Sequence, residues 1–280
     1  MRFLKIAQRL YLEPWGIVPQ MHEKLCEIFQ AHLDKSAHDL EGISANFGPS
    51  EKESNSEMMG SGIAVIPIQG VISHRVSDIV KSSGVTDVLD IAADITKAVE
   101  EESVRGIILD IDSPGGSITG VPETAKLIRE AAKTKPIVAF TDSQIASAAF
   151  WLASGADAIV ATQSASIGSI GIFIALLDRS KAFEKEGLKQ ELITSGEFKA
   201  IGLPGLPLSE KQRDFLQEGV DEAFAWFVAA INVKRDIPKS IMDGRDFFAE
   251  KALEFDLIDR VGDSADALSE LEGLIGESNG

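Results

Sequence analysis

From Gly62 to about Gly262 the chain alternates short runs of β-branched and aliphatic residues with longer stretches of helical period. That alternation restricts the chain to an α/β domain with a substantially parallel sheet, because parallel strands need a crossover between them and a helix is the compact way to make one. The runs at residues 63–68, 106–111, 136–141 and 158–161 read as strands, with Pro67 hinting at an edge or a bulge in the first. Residues 87–101 place Val88, Ile91, Ala92, Ile95, Ala98 and Val99 on one helical face. Residues 119–132 form the next helix, and 145–153 a short one. Helices at 176–186 and 209–233 bracket an expected strand at 190–194, and no fixed-period repeat is visible.

The flanks read differently. Residues 1–45 carry a helical pattern, with Met21, Leu25, Ile28 and Phe29 on one face, and are expected to form a small helical segment. Residues 46–61 are polar, contain Gly, Pro and Ser and lack an apolar period, so they read as a flexible linker before the domain at 62–262. Residues 263–280 read as an acidic tail, a solvated helix with Leu268, Leu271 and Leu274 at three-residue spacing that ends in disorder. Trp226, with Phe224 and Phe227, is expected in core or at a subunit contact.

Composition removes several function classes. With 27 basic against 44 acidic residues the net charge is -17, a field that repels nucleic-acid phosphates and anionic membrane surfaces. The lone Cys26 forbids an intrachain disulfide and disfavours a cysteine metal cage, which points to a reducing compartment. Gln8, Arg9, Glu13 and Pro14 interrupt the N-terminus where a signal peptide would be apolar. The most apolar stretches fall well short of the ~20 residues of a membrane span. All four histidines, His22, His32, His38 and His74, precede the core motifs, and no G-x-S-x-G elbow is present to pair with His74. No phosphate loop, dinucleotide fingerprint or H-E-x-x-H occurs, so neither a cofactor nor a metal is expected.

Four segments carry chemistry. The strand at 106–111 runs into Ser113-Pro114-Gly115-Gly116, where paired glycines let bare backbone approach a ligand and turn N–H groups on a developing negative charge; a tight turn alone would use the same residues. In Ile145-Ala146-Ser147-Ala148-Ala149-Phe150-Trp151, a serine flanked by alanines begins an apolar helix, where an alkoxide is favoured and a peptide has room; a plain helix-start serine would look similar. Gly168-Ser169-Ile170-Gly171 is the third. In the fourth, Ser195-Gly196-Glu197-Phe198-Lys199-Ala200-Ile201, a lysine has apolar neighbours. Lysine serves as a general base only when burial lowers its pKa from about 10.4 to about 7–8, a cost of roughly 4 kcal/mol; a solvated lysine is the ordinary alternative.

The ordered succession S-P-G-G, A-S-A-A-F-W-L-A-S, G-S-I-G and S-G-E-F-K resembles the signal-peptide-peptidase-A and phage protease C family, the S49 serine peptidases. The resemblance covers about residues 62–262 and implies a Clp-protease/crotonase-like α/β fold of repeated strand–strand–helix units. It implies Ser147 as nucleophile, Lys199 as general base and Ser169 as the hydrogen-bonding partner of the lysine amine. The oxyanion hole would come from the backbone N–H groups of Gly115 or Gly116 and of Ala148. Where the family usually has glycines after the nucleophile, this chain has Ala148-Ala149-Phe150, which keeps the N–H and narrows the pocket. Glu13-Pro14-Trp15-Gly16-Ile17 and the missing membrane span resemble the phage and prophage branch, whose enzymes cleave head proteins during capsid maturation. That branch implies phage head or scaffold polypeptides as substrates, with signal peptides for the other branch. It also implies a ring-shaped homo-oligomer whose neighbouring subunits complete each site, placed in the bacterial cytoplasm or in a procapsid. A crotonase-type acyl-CoA enzyme and a non-catalytic capsid scaffold on the same fold are the alternatives.

Overall fold

A computed structural model describes residues 10, 13–34, 57–59, 62–76, 78–81, 84–203 and 205–278. In chain order the first elements are β1 (Trp15–Ile17), α1 (Pro19–Asp34), β2 (Glu57–Met59), β3 (Ile63–Gln69), β4 (Val71–Ser73), α2 (Asp78–Lys81), β5 (Val85–Asp87) and α3 (Val88–Glu100). There follow β6 (Gly106–Asp112), β7 (Gly115–Ser117), α4 (Val121–Ala132), β8 (Ile137–Thr141), β9 (Gln144–Ala146), α5 (Ala148–Ala153), β10 (Ala158–Ala161) and β11 (Ser166–Gly168). The chain closes with α6 (Ser180–Lys185), α7 (Glu210–Ile231), a 3₁₀ turn at Lys239–Ile241, β12 (Asp246–Phe248), α8 (Ala249–Glu254), β13 (Arg260–Val261) and α9 (Ser264–Ser278).

A six-stranded sheet, in the order β13-β10-β8-β6-β3-β2, is parallel except for β2 at its edge. Its strands are apolar on both faces because both faces are covered. Ile66, Ile68, Leu109, Ile111 and Ala139 point into the main core under α3, α4 and α5. The alternate residues Ile63, Ile108, Val138, Phe140 and Val160 meet Ala267, Leu271 and Ile275 of α9 on the other face.

Each central strand turns within a few residues into a short strand of another sheet: β3 into β4, β6 into β7, β8 into β9 and β10 into β11. The second strands assemble as β1-β7-β4-β5 and as β12-β11-β9. Helices α3, α4 and α5 then return the chain to the main sheet. This is the repeated strand–strand–helix build of the Clp-protease/crotonase fold. Its consequence is positional: every second strand leaves the carboxyl edge of the main sheet, where open parallel sheets place their ligand sites.

Several expectations change. The described part of residues 1–45 is not uniformly helical, since β1 precedes α1 and is hydrogen-bonded into the domain. Residues 57–59, expected in a linker, form β2, which pairs antiparallel with β3; the rest of 46–61 lies outside the described residues. Because β2 ends opposite Ile63–Val65, Pro67 lies on a stretch of β3 with no strand on that side among the described residues, where a missing N–H costs nothing. The expected strand at 190–194 is irregular, and 191–194 are exposed. The start of the expected helix at 145–153 belongs to β9, and the helix begins only after Ser147.

The acidic tail is not solvated: α9 buries Ala267, Leu271 and Ile275 at four-residue spacing against the sheet and presents its carboxylates outward. Trp226 is half-exposed, whereas Phe227 is fully buried and stacks on Trp151 with ring centroids 4.6 Å apart. No helix among the described residues is long and apolar enough to cross a membrane.

Candidate active site

Ser147 occupies the one-residue junction between β9 and α5. The parallel pairing of β9 with β11 ends at Ala146 opposite Gly168, and the Ser147 N–H donates to the Gly168 carbonyl at 2.8 Å. Its own carbonyl accepts from Trp151, the first turn of α5, at 2.9 Å. To serve both elements the backbone takes φ 55° and ψ −117°, a region that residues other than glycine rarely adopt. Such a conformation persists only where the surroundings fix it, and strained residues of this kind gather at functional sites. All six residues of α5 are buried, which supplies that fixation.

Ser169 follows Gly168 as Ser147 follows Ala146, so the two serines leave one strand pair side by side. Ser169 also has positive φ, 51°, is buried, and is held by its N–H donating to the Arg245 carbonyl at 2.8 Å. The Ser147 hydroxyl faces the Gly171 carbonyl at 3.5 Å, at the outer limit of a hydrogen bond.

The double glycine is required by the fold itself. A Cβ on Gly116 would lie 1.8 Å from the Ile72 carbonyl oxygen of β4, so β7 can pass β4 only with no side chain there. Gly115 has φ 93°, and a Cβ on it would stand 3.0 Å from the Ala148 N and 2.2 Å from the Gly16 carbonyl oxygen. Gly115, the Ala148 N–H and the Gly16 carbonyl thus converge on one small volume beside Ser147. The Ala148 N–H, first in its helix, has no acceptor within α5. The Gly115 N–H is already committed: it donates to the Ser113 hydroxyl at 3.2 Å, and that hydroxyl donates to the Gly70 carbonyl at 2.7 Å. Of the donors expected for an oxyanion, Ala148 is therefore better placed than Gly115, while Gly116 pairs with Gly16 of β1.

The sequence marks Ser113 only by its place in S-P-G-G. Fully buried, it ties the end of β6 to β9, its N–H donating to Gln144 and its carbonyl accepting from Ala146 at 3.1 Å each. This holds the S-P-G-G turn against the strand that delivers Ser147. Gly171, the end of the G-S-I-G segment, also borders the site, as do Gly16 and Phe173, which lie outside the four segments; only the short Trp15-Gly16-Ile17 run signals the first of these two.

Lys199 is not brought to the serines by its own chain. It is exposed, on a turn whose only backbone anchor at that residue is the Lys199 N–H to the Gly196 carbonyl at 3.1 Å. The apolar enclosure expected from its neighbours is not formed within one chain: Phe198 is 44% exposed and tilts against Phe215 of α7 with centroids 5.1 Å apart. The turn is tied to α7 through Gln212, which donates to the Glu197 carbonyl at 2.6 Å. Among the described residues no histidine replaces the lysine. His22 is buried, with Nε2 2.8 Å from the Leu10 carbonyl and its ring against Trp15 and Phe173, and His74 lines a separate cavity of about 390 Å³ with Leu89, Thr119 and Glu123.

The strand–strand–helix scaffold, with glycine-rich backbone turned toward a buried serine at the carboxyl edge of the sheet, places this chain among Clp-protease/crotonase-type proteins. The model of peptidase family S49 matches residues 129–276, and the chain belongs to that family. A putative protease of Methanocaldococcus jannaschii is 33% identical over 184 residues, 64% of this chain and 59% of that one. Capsid assembly protease C of Escherichia phage lambda is 31% identical over 78% of this chain and 50% of its own length. A putative signal peptide peptidase SppA of Enterococcus faecium is 33% identical, over 64% and 53%. The chain spans about half to three-fifths of the length of these relatives.

Proposed function

We propose that the chain is a serine endopeptidase in which Ser147 attacks the scissile carbonyl and Lys199 of a neighbouring copy is the general base. The observation that carries the reading is the strained, fixed junction that presents Ser147 beside Ser169 and the Ala148 N–H. A serine held at φ 55° between two buried elements has no packing role that a glycine would not fill with less strain.

The neutral lysine amine takes the hydroxyl proton as Oγ bonds to the carbonyl carbon. The oxyanion is met by the Ala148 and Gly116 N–H groups, and Ser169 holds the amine. The ammonium returns its proton to the leaving nitrogen, the C–N bond breaks, and a water repeats the sequence to free the acyl group from Oγ. The base comes from a second copy because Lys199 is exposed in its own chain, where nothing among the described residues encloses its amine. The same region exposes Leu188, Leu192, Ile193, Phe198, Phe215 and Trp226, an apolar surface that a neighbouring subunit would cover while enclosing the lysine. A ring of such copies shares one site between each pair.

Polypeptides are the substrates of this reading, and likeness to a phage capsid assembly protease over 78% of the chain favours phage head proteins in a procapsid or host cytoplasm. Ser147→Ala and Lys199→Ala are each expected to abolish cleavage of an unfolded protein while leaving the circular dichroism unchanged. Cleavage by the unaltered protein should rise with pH, because the amine acts only when unprotonated; a flat profile between about pH 6 and 9 would remove the lysine.

A further inference from the structure

Ser147 is 1% exposed, which no nucleophile waiting for a polypeptide can be if its groove is empty. What covers it is the chain's own N-terminal strand. Trp15–Ile17 pairs antiparallel with β7, Gly16 opposite Gly116, and the Val18 N–H donates to the Pro114 carbonyl at 2.9 Å while the Pro14 carbonyl accepts from Ile118 at 3.4 Å. On its other edge Trp15 exchanges both backbone bonds with Phe173, at 2.9 and 3.1 Å. Antiparallel bonds alternate along a strand, so Trp15 bonds toward Phe173 and Pro14, Gly16 and Val18 bond toward β7.

Residues 14–18 therefore run extended between β7 and residue 173, bonded on both edges, directly over the serine. This is strand addition to an open sheet edge, the way extended peptides are bound, with the occupant supplied in cis. The residue over the nucleophile is the one that leaves it room: a Cβ on Gly16 would lie 3.2 Å from Ser147 Oγ, 3.3 Å from Ala148 N and 3.3 Å from Ile118 Cγ2. Trp15 and Ile17 anchor the strand beside Leu10 and Val71.

We propose that residues 14–18 are an intramolecular plug in the peptide-binding groove, which a substrate strand must displace from β7 before it reaches Ser147. This rests on Ser147 being the reacting group, yet coverage can be measured without catalysis. In full-length chain carrying Cys26→Ala and Ser147→Cys, the only thiol is at position 147, and its reaction with 5,5′-dithiobis(2-nitrobenzoate) reports the plug. Adding Gly16→Leu should raise that rate about tenfold, the factor for a plug docked roughly nine times in ten. Equal rates, with β1 released as judged by hydrogen exchange at Gly116, would overturn the proposal. Should Gly16→Leu unfold the protein, Trp15→Ala removes an anchor instead and should shift the rate in the same direction.

With Ser147 intact, Gly16→Leu should lower KM for an unfolded protein substrate severalfold and keep kcat, since a competing strand taxes binding alone. A loss of kcat would make β1 a wall of the working site and refute the plug. An absence of cleavage in every variant would refute the peptidase reading, while the thiol rates would still decide whether β1 covers Ser147.

Discussion

The surroundings of Ser147 and those of Lys199 are built in opposite ways. Around Ser147 the flanking residues of β9 and α5 are buried, and the strain at one residue is locked by two strands and a helix. Around Lys199 the chain is irregular from 189 to 199, residues 191–199 are exposed, and Ile193 is 98% exposed. The first region is complete in one chain. The second holds the residue types of an active site without the enclosure that would make its lysine a base. The difference teaches that one chain's core fixes Ser147 and leaves Lys199 open; on the proposed reading, folding and assembly divide the work, with contact between copies supplying the base.

Breaking the complete half should cost most. Trp151→Ala removes a fully buried ring stacked on Phe227 at 4.6 Å, and about 3–5 kcal/mol of stability should be lost in denaturant titration. Leu271→Ala, which uncovers the second face of the sheet, should cost about 2–5 kcal/mol by the same measurement. Trp151→Phe should cost less than about 1.5 kcal/mol, because the indole N–H it removes is buried without a hydrogen-bond partner. Ile193→Ser should leave the monomer's stability within about 0.5 kcal/mol of the parent. Its effect should appear in the assembled mass seen by light scattering, and an unchanged assembly would detach this apolar surface from the subunit interface.

Much of the architecture was legible because it is periodic. Strands at 63–69, 106–112, 137–141 and 158–161 and helices at 88–100, 121–132 and 210–231 stand close to where their apolar patterns put them. Ser147, Ser169 and the glycine pair stand out through the resemblance of four ordered motifs to a family; the β9–β11 register sets the two serines side by side, and Gly115 lies against Ala148. What periodicity does not carry is contact at long range. The leucines of 263–278 signal a helix but not the sheet face it covers. Trp15-Gly16-Ile17 is too short to show a period, and it becomes a strand only because β7 offers it an edge. At Lys199, apolar neighbours in sequence suggested burial, whereas Phe198 turns to Phe215 and leaves the lysine outside.

The central claim is that one chain's Ser147 works with another chain's Lys199, and mixing two inactive variants tests it most directly. Ser147→Ala and Lys199→Ala chains, each inactive alone, would be dissociated, combined in equal amounts and reassembled. If each site draws its serine and lysine from neighbouring copies, random assembly should restore about a quarter of the parent's cleavage rate. A mixture as inactive as its components, at the same assembled mass, would contradict the account.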